Sequence, residues 1–143
     1  MIPMLVVLDT NHFTEFVDAS ALGERLLSRI EERSSEVFTC IVAVEETMQG
    51  WLALLRRSRT GRDQLAPYAK FQLGLETLLQ LAILPFDPDA ADIFHRLHSE
   101  FPRRGTMDLK IASICIAHEA MLLTRNLVDF RGLPDLLVEN WLD

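Results

Sequence analysis

The amino-acid sequence predicts an α/β fold, a three-layer α/β/α sandwich with a central parallel sheet. Short apolar runs rich in branched residues, typical of buried strands, recur along the chain, and stretches with helical spacing lie between them. Strands that are separated by helices pair in parallel through right-handed crossovers. The chain has 143 residues, of which 49% are hydrophobic, and this suffices for a sizeable core. We therefore expect a single domain over residues 1–143.

The first half of the chain predicts two strands and three helices. The run Met4-Leu5-Val6-Val7-Leu8 is a short buried strand, and the helix after it has Phe13, Phe16 and Val17 on one face. Residues 18–20 interrupt this helix. The other elements of this half are a helix with an apolar stripe over 22–30, a strand over 37–42 and a helix over 44–58, followed by a polar turn at 59–62.

The second half of the chain continues the alternation of helices and strands. Apolar residues between Phe71 and Leu79 predict an amphipathic helix, and a second helix, over 93–101, stops at Pro102. A helix over 108–118 is nearly all apolar, so most of its surface must be buried. Strands are predicted at 81–86, at 121–124 and, as a short edge strand, at 136–138.

Charge is distributed unevenly along a chain whose net charge is −7. This net charge excludes a protein that binds nucleic acids non-specifically through its overall charge. Twelve of the fourteen basic residues are arginines, whose forked guanidinium group suits phosphate, although a single arginine also fits an ordinary solvated helix face. Two basic clusters stand out, namely Arg56, Arg57, Arg59, Arg62 and Lys70, and Arg96, Arg103, Arg104 and Lys110.

The cysteines favour a reducing compartment, and the N-terminal run does not look like a signal peptide. Cys40 and Cys115 lie within apolar stretches and lack the spacing of a metal site, so we expect small buried side chains. The N-terminal apolar run has no basic region before it and ends at Asp9, which argues against a signal peptide. No apolar segment reaches the length of a membrane span. We therefore expect a cytoplasmic protein.

Asp9 ends the first predicted strand, at the place where open α/β sheets bind ligands. An aspartate there has two explanations. As a helix N-cap, it would accept hydrogen bonds from free amide groups of the next helix. As a ligand, it would offer carboxylate oxygens to a hard cation. Taken alone, Asp9 favours the cap.

Three further acidic residues stand near strand ends or helix starts. Glu46 lies near the first turn of the helix after the second strand, Asp108 begins the apolar helix, and Asp129 follows the strand at 121–124. Because the carboxyl ends of parallel strands share one edge, these carboxylates and Asp9 can converge. They would repel one another without a cation, and Mg²⁺ and Mn²⁺ prefer such oxygen ligands. The four acids therefore predict metal-dependent hydrolysis of a phosphodiester.

The acids stand within four short motifs, and the order of these motifs is more specific than any one of them. The motifs are Leu8-Asp9-Thr10-Asn11, Val44-Glu45-Glu46-Thr47-Met48-Gln49-Gly50-Trp51, Asp108-Leu109-Lys110-Ile111-Ala112 and Thr124-Arg125-Asn126-Leu127-Val128-Asp129-Phe130, with Asn140-Trp141 near the end. With them, essentially the full chain resembles a PIN-domain ribonuclease, and more narrowly a VapC-type toxin of bacterial toxin–antitoxin pairs. The resemblance implies a PIN-like α/β/α fold.

The same resemblance implies a Mg²⁺- or Mn²⁺-dependent endoribonuclease that acts on RNA, is neutralised by a VapB-like antitoxin and forms a homodimer. Asp9, Glu46 and Asp108 match the first three acids of the family pattern. We expect Asp9 and Asp108 to hold the principal metal, and Glu46 and Asp129 to complete the pocket or hold a second ion. Water activated by the metal would then attack the scissile phosphate.

Polar residues beside the acids are expected to support the site or to contact the substrate. Asn11 is similar to the polar residue that supports the first acid. Many members of the family have an acid where this chain has Asn126, so Asp129 either replaces it or acts from behind the ligands. Arg125, which precedes Asn126, is expected near the RNA or behind the ligands.

Two other functions fit parts of the pattern. Haloacid-dehalogenase-like phosphatases also have an aspartate after the first strand, but they need a second one two positions later, where this chain has Asn11. A PIN-like fold without catalysis, acting as an RNA-binding or interaction module, is the other alternative. The joint presence of Asp9, Glu46 and Asp108 argues against it.

Overall fold

The computed structural model describes residues 3–143, which form one five-stranded parallel sheet flanked by helices. The three-layer prediction is therefore confirmed. In chain order the elements are β1 (Leu5–Leu8), α1 (Thr10–Asp18), α2 (Ala21–Glu32), β2 (Glu36–Cys40), α3 (Ile41–Arg57), α4 (Leu65–Leu78), β3 (Ala82–Leu84), α5 (Pro88–Glu100), α6 (Thr106–Ala117), β4 (Met121–Leu123), α7 (Leu127–Phe130) and β5 (Leu137–Glu139). The strands lie in the order β3-β2-β1-β4-β5.

The central strand β1 pairs in parallel with β2 on one side and with β4 on the other. Its residues Val6, Val7 and Leu8 are fully buried, and successive side chains point to opposite faces of the sheet. Val7 packs into a core built with α5 and α6, whereas Val6 and Leu8 pack into a core with α1 to α4. Both faces are covered, which explains why the strand is a continuous apolar run rather than an alternating one.

The second strand is shorter than the sequence predicts. We expected a strand over 37–42, but β2 ends at Cys40, and Ile41 and Val42 begin α3. Branched residues have only a modest penalty in helices, and burial of Val42 against the core outweighs it. Glu46 therefore lies in the second turn of α3, beyond the first turn to which the sequence assigned it.

Helix α4 also differs from its prediction. It begins at Leu65, before the apolar stripe that starts at Phe71, and Leu79 caps its end with 86% of its surface exposed. The face that α4 turns inward contains Gly74, where a Cβ atom would collide with the indole ring of Trp51. Of the predicted stripe, Leu78 is buried and Phe71 packs against the same core, whereas Leu75 and Leu79 are exposed.

Smaller differences affect the acids. Helix α6 begins at Thr106, so Asp108 is its third residue and not its first. Asp129 lies in the short helix α7, which the sequence does not predict, because four residues are too few for a helical period to be recognised.

Strand β3 covers only Ala82–Leu84 of the range predicted at 81–86. Within residues 3–143, none of the helices combines the length and the apolar character that a membrane crossing requires.

Candidate active site

Asp9 is both the last residue before α1 and a buried carboxylate at the carboxyl edge of the sheet. It caps α1: its Oδ1 accepts a hydrogen bond of 2.8 Å from the backbone N–H of Thr10. Its Oδ2 accepts a second bond, of 2.9 Å, from the hydroxyl of Thr124. The cap expected from the sequence is confirmed. Each oxygen keeps a further lone pair, so capping leaves Asp9 able to bind a cation.

Burial raises the pKa of Asp9 above its ordinary value, because a charged carboxylate is poorly solvated in this position. The hydrogen bonds from Thr10 and Thr124 act in the opposite direction, and the charge of Asp129 raises the pKa further. Only 8% of the Asp9 surface is exposed. A cation beside Asp9 would remove the desolvation cost that these bonds offset only in part.

Glu46 is half-buried on α3, and burial disfavours its charged form as it does that of Asp9. Burial, followed by the charges of Asp9 and Asp108, raises the pKa of Glu46 to about 7. Its Oε1 atom is buried and has no hydrogen-bond partner among residues 3–143. A buried carboxylate oxygen without a partner is unusual in a folded protein and indicates a ligand or water at this place.

Asp108 completes this group from α6. Burial raises its pKa, the charges of Asp129 and Asp9 raise it further, and Arg104 lowers it. Gly105 caps α6, and a Cβ atom at this position would lie 3.2 Å from Oδ2 of Asp108. The glycine therefore leaves room for the carboxylate at the start of the helix.

Asp129 is exposed on α7, and its charge raises the pKa of both Asp9 and Asp108. Arg104 fixes this segment, since its Nη1 donates a bond of 2.7 Å to the backbone oxygen of Asp129. Asn126, the other residue at the divided fourth position, is exposed, and its backbone N–H donates to the hydroxyl of Thr124 at 3.1 Å. Of the two, Asp129 is the one that acts electrostatically on the other acids.

Two predicted site residues make no hydrogen bond to the four acids within residues 3–143. Asn11 is exposed on α1, and no hydrogen bond joins it to Asp9 in the described part of the chain. Arg125 is turned towards the last residue, where its Nε and Nη2 atoms donate to both carboxylate oxygens of Asp143 at 3.1 and 2.8 Å. The structure thus joins Arg125 to the C-terminal segment.

Thr124 is a site residue that the sequence reasoning did not single out. Its hydroxyl donates to Asp9 and accepts from the backbone of Asn126. The signal was present in the sequence, because Thr124 follows β4 directly, just as Asp9 follows β1. Parallel strands with this alternation place residues that follow their ends side by side.

The four acids fit a hard divalent cation in their chemistry. They offer only oxygen donors, three of them have raised pKa values because of burial and mutual repulsion, and Glu46 has an oxygen without a partner. Within residues 3–143, however, no three His, Cys, Asp or Glu side chains are close enough together to hold a metal as they stand. The acids therefore form an electrostatically coupled cluster whose side chains must draw closer around an ion.

An all-parallel α/β/α sandwich with coupled carboxylates at its carboxyl edge defines the class of this protein. The family model for the PIN domain matches residues 6–134, and the chain belongs to the PIN domain family. This membership argues against the phosphatase alternative.

One curated relative and several solved structures resemble the chain. Ribonuclease VapC2 of Rickettsia felis is 35% identical over 68 residues, which cover 45% of this chain and 51% of that protein. The match thus spans about half the length of that relative. The VapBC2 complex of Rickettsia felis bound to a promoter DNA fragment has a TM-score of 0.74 at 22% identity and covers 96% of this chain and 99% of that one. VapBC-1 of nontypeable Haemophilus influenzae has a TM-score of 0.76 at 16% identity, covering 98% and 100%. At these identities the two structures establish the fold.

Proposed function

We propose that this protein is a Mg²⁺- or Mn²⁺-dependent endoribonuclease and the toxin of a VapBC-type toxin–antitoxin pair, acting in the cytoplasm. The observation that carries the proposal is the coupling of Asp9, Glu46, Asp108 and Asp129 at the carboxyl edge of a PIN-domain sheet. The name of the relative from Rickettsia felis, a ribonuclease, supports the reaction class.

Asp9 and Asp108 would hold the principal metal ion, and Glu46 and Asp129 would complete the pocket or hold a second ion. When bound, such an ion stabilises negative charge on a phosphate and lowers the pKa of the attacking water. The expected reaction is cleavage of an RNA phosphodiester bond by water.

The residues of the chain prepare this reaction in three ways. The amide of Thr10 and the hydroxyl of Thr124 fix the orientation of the Asp9 carboxylate, which reduces the reorganisation that metal binding requires. Glu46 has a buried Oε1 atom without a hydrogen-bond partner within residues 3–143, so this oxygen is available to a metal ion or to a water molecule. Arg104, which lowers the pKa of Asp108, lies close enough to the cluster to attract RNA phosphates.

The decisive experiment replaces Asp9 by asparagine. Asparagine also caps helices, so Asp9→Asn keeps the fold but removes a carboxylate, and we expect cleavage of single-stranded RNA to be abolished. Asp63→Asn, which changes one exposed aspartate in the turn before α4, serves as the control with equal charge. Cleavage that persists in purified, folded Asp9→Asn would overturn the mechanism, and RNA binding without cleavage by the unmodified protein would favour the non-catalytic module.

We also propose a VapB-like antitoxin and a second copy of this chain as partners. The solved relatives named above are VapBC complexes, which supports the antitoxin. A site made of carboxylates is suited to an arginine from a partner segment. Large apolar side chains exposed on α4, among them Leu65 and Tyr68, leave surface for such contacts. Sedimentation at several concentrations tests the homodimer, and co-purification with the product of a neighbouring small reading frame tests the antitoxin.

A further inference from the structure

A groove of about 320 Å³ borders the acidic cluster and follows α3, with further walls from α1 and α4. We call it the α3 groove. Its lining includes Thr10, Thr14, Glu46, Gly50, Arg57 and Lys70. The groove thus joins an acid of the candidate active site to two basic residues.

The direction of the groove follows from the geometry of α3. Glu46 and Arg57 are separated by 11 positions along this helix, which places them about 16 Å apart along its axis and on nearly the same face. Gly50 lies between them on that face. Arg57 therefore belongs to the end of the groove away from the acids.

The two basic residues in the groove have no anionic partner. Arg57 and Lys70 are exposed, and neither takes part in an ion pair in the described ranges, whereas Arg33 and Arg125 pair with acidic residues. In a chain with a net charge of −7, two such cations in one groove are available for an external anion.

The middle of the groove is open down to the helix backbone. Gly50 stands in the interior of α3, where glycine costs about 1 kcal/mol relative to alanine. A Cβ atom at Gly50 would meet nothing within 4 Å, so packing does not require the glycine. Thr10 adds a buried hydroxyl oxygen without a hydrogen-bond partner in residues 3–143. Both features leave space and bonding capacity for a polar ligand.

We propose that the α3 groove is a subsite for the RNA strand, in which Arg57 and Lys70 bind a backbone phosphate away from the scissile one. A ligand of this groove must be cleaved beside the carboxylates and must also present a negative charge at the Arg57 end. A polynucleotide meets both requirements, because each of its nucleotides contains a phosphate. The nucleotide in between would lie against α3 at Gly50. This inference rests on the proposed nuclease function and adds the path of its substrate.

The contact should be independent of base identity. Trp51 also lines the groove, but it is only 7% exposed and its ring packs against Phe13 and Phe71, so it offers no free face for stacking. Arginine and lysine contacts to phosphate position a nucleic acid without reading its sequence. We therefore expect the subsite to strengthen binding to all single-stranded sequences alike.

The test compares two double variants that lose the same charge. Arg57→Ala/Lys70→Ala removes the cations of the groove, while Arg56→Ala/Arg59→Ala removes two exposed arginines of the same basic cluster that do not line it. Binding of a labelled single-stranded oligoribonucleotide is measured by fluorescence anisotropy, in the Asp9→Asn background, over a range of salt concentrations. For the groove variant we expect an affinity loss of about tenfold or more and a salt slope reduced by about 0.7, which corresponds to one neutralised phosphate of a single strand. The control variant should keep the slope.

A steric variant provides a second measurement. Gly50→Phe would fill the groove without removing charge, and we expect it to weaken RNA binding while thermal unfolding shows a folded protein. Equal losses in the two double variants, or full binding by folded Gly50→Phe, would overturn the subsite. Cleavage by the unmodified protein is measured separately. If cleavage is absent but the loss of binding is confined to the groove variants, the nuclease proposal fails and the RNA subsite stands.

Discussion

The hydroxyl of Thr124 donates a hydrogen bond of 2.9 Å to Oδ2 of Asp9, although 115 positions separate the two residues in the chain. The pairing of Leu8 with Leu123 brings them together, because each residue follows the last pair of two adjacent strands. The same hydroxyl accepts a bond from the backbone of Asn126. Thr124 therefore couples the orientation of the first acid to the segment that carries Asp129.

Replacement of Thr124 by valine should affect both stability and activity. Valine has nearly the same shape but cannot donate to Asp9, and it leaves the Asn126 amide without its acceptor. Loss of one partner of a buried polar group costs about 1–3 kcal/mol, which urea unfolding would measure. We expect RNA cleavage to fall as well, because Asp9 loses the bond that fixes it.

Thr124→Ser is the matched control for this prediction. Serine keeps the hydroxyl and should preserve most of the cleavage activity. A valine variant with the stability and cleavage rate of the unmodified protein would show that the Thr124 bond has no functional role.

Metal ions should stabilise the protein through Asp108. Burial and, after it, mutual repulsion raise the pKa values of Asp9, Glu46 and Asp108, and a divalent cation that binds the folded state relieves both costs. At a Mg²⁺ or Mn²⁺ concentration of about 100 times Kd, the free energy of unfolding should rise by about 2.7 kcal/mol relative to protein in EDTA. Differential scanning calorimetry would record this as a higher Tm.

Asp108→Asn should lose this response, while Asp63→Asn, with the same change in charge on an exposed turn, should keep it. In EDTA, Asp108→Asn should be at least as stable as the unmodified protein, because one member of a repelling group is gone. A Tm that rises equally with metal in both variants would exclude Asp108 as a ligand.

The parts of the fold that the sequence predicts well are those set by local pattern. Val6, Val7 and Leu8 form a branched apolar run that is typical of a strand buried on both faces, and the alternation of strands and helices then predicts the parallel sheet. The boundary at Cys40 could not be read in this way. Ile41 and Val42 have strand-like side chains but begin α3, in which Val42 packs against the core while Ile41 is exposed.

In the candidate site, too, the sequence predicts what local pattern determines and misses what tertiary packing determines. The placement of Asp9 and Asp108 follows from strand ends and helix starts, which the sequence marks. The orientation of Arg125 towards Asp143 does not, because it depends on where the C-terminal segment packs. The α3 groove is likewise invisible in the sequence, since Arg56 and Arg57 are adjacent and only the helix rotation separates their directions.

His12 should make the protein less stable in mild acid. It is fully buried, its Nε2 accepts a bond of 3.1 Å from the backbone N–H of Trp141, and burial lowers its pKa from 6.5 to about 4. Between these two values the unfolded chain binds more protons than the folded one, so stability rises with pH. The free energy of unfolding should therefore decrease as pH falls from 6.5 to 4, by up to about 3 kcal/mol from this residue.

His12→Gln should flatten this pH dependence, because glutamine can accept the bond from Trp141 and does not titrate. His95→Gln, at an exposed position of α5, should leave the dependence unchanged. Urea unfolding at several pH values gives the comparison. Equal slopes in the His12 variant and in the unmodified protein would show that other groups cause the loss of stability in acid.

The two helical glycines Gly50 and Gly74 should respond in opposite ways to alanine. Gly50→Ala adds a methyl group in open space and gains helix propensity, so the free energy of unfolding should increase by about 0.5–1 kcal/mol. Gly74→Ala forces a methyl group into the indole ring of Trp51, which is buried between α3 and α4, and overpacking of this kind costs about 1–3 kcal/mol. Thermal and urea unfolding of both variants measures the difference. A stabilising Gly74→Ala would mean that α3 and α4 pack less closely than described, and a destabilising Gly50→Ala would mean that the α3 groove is not open at its centre.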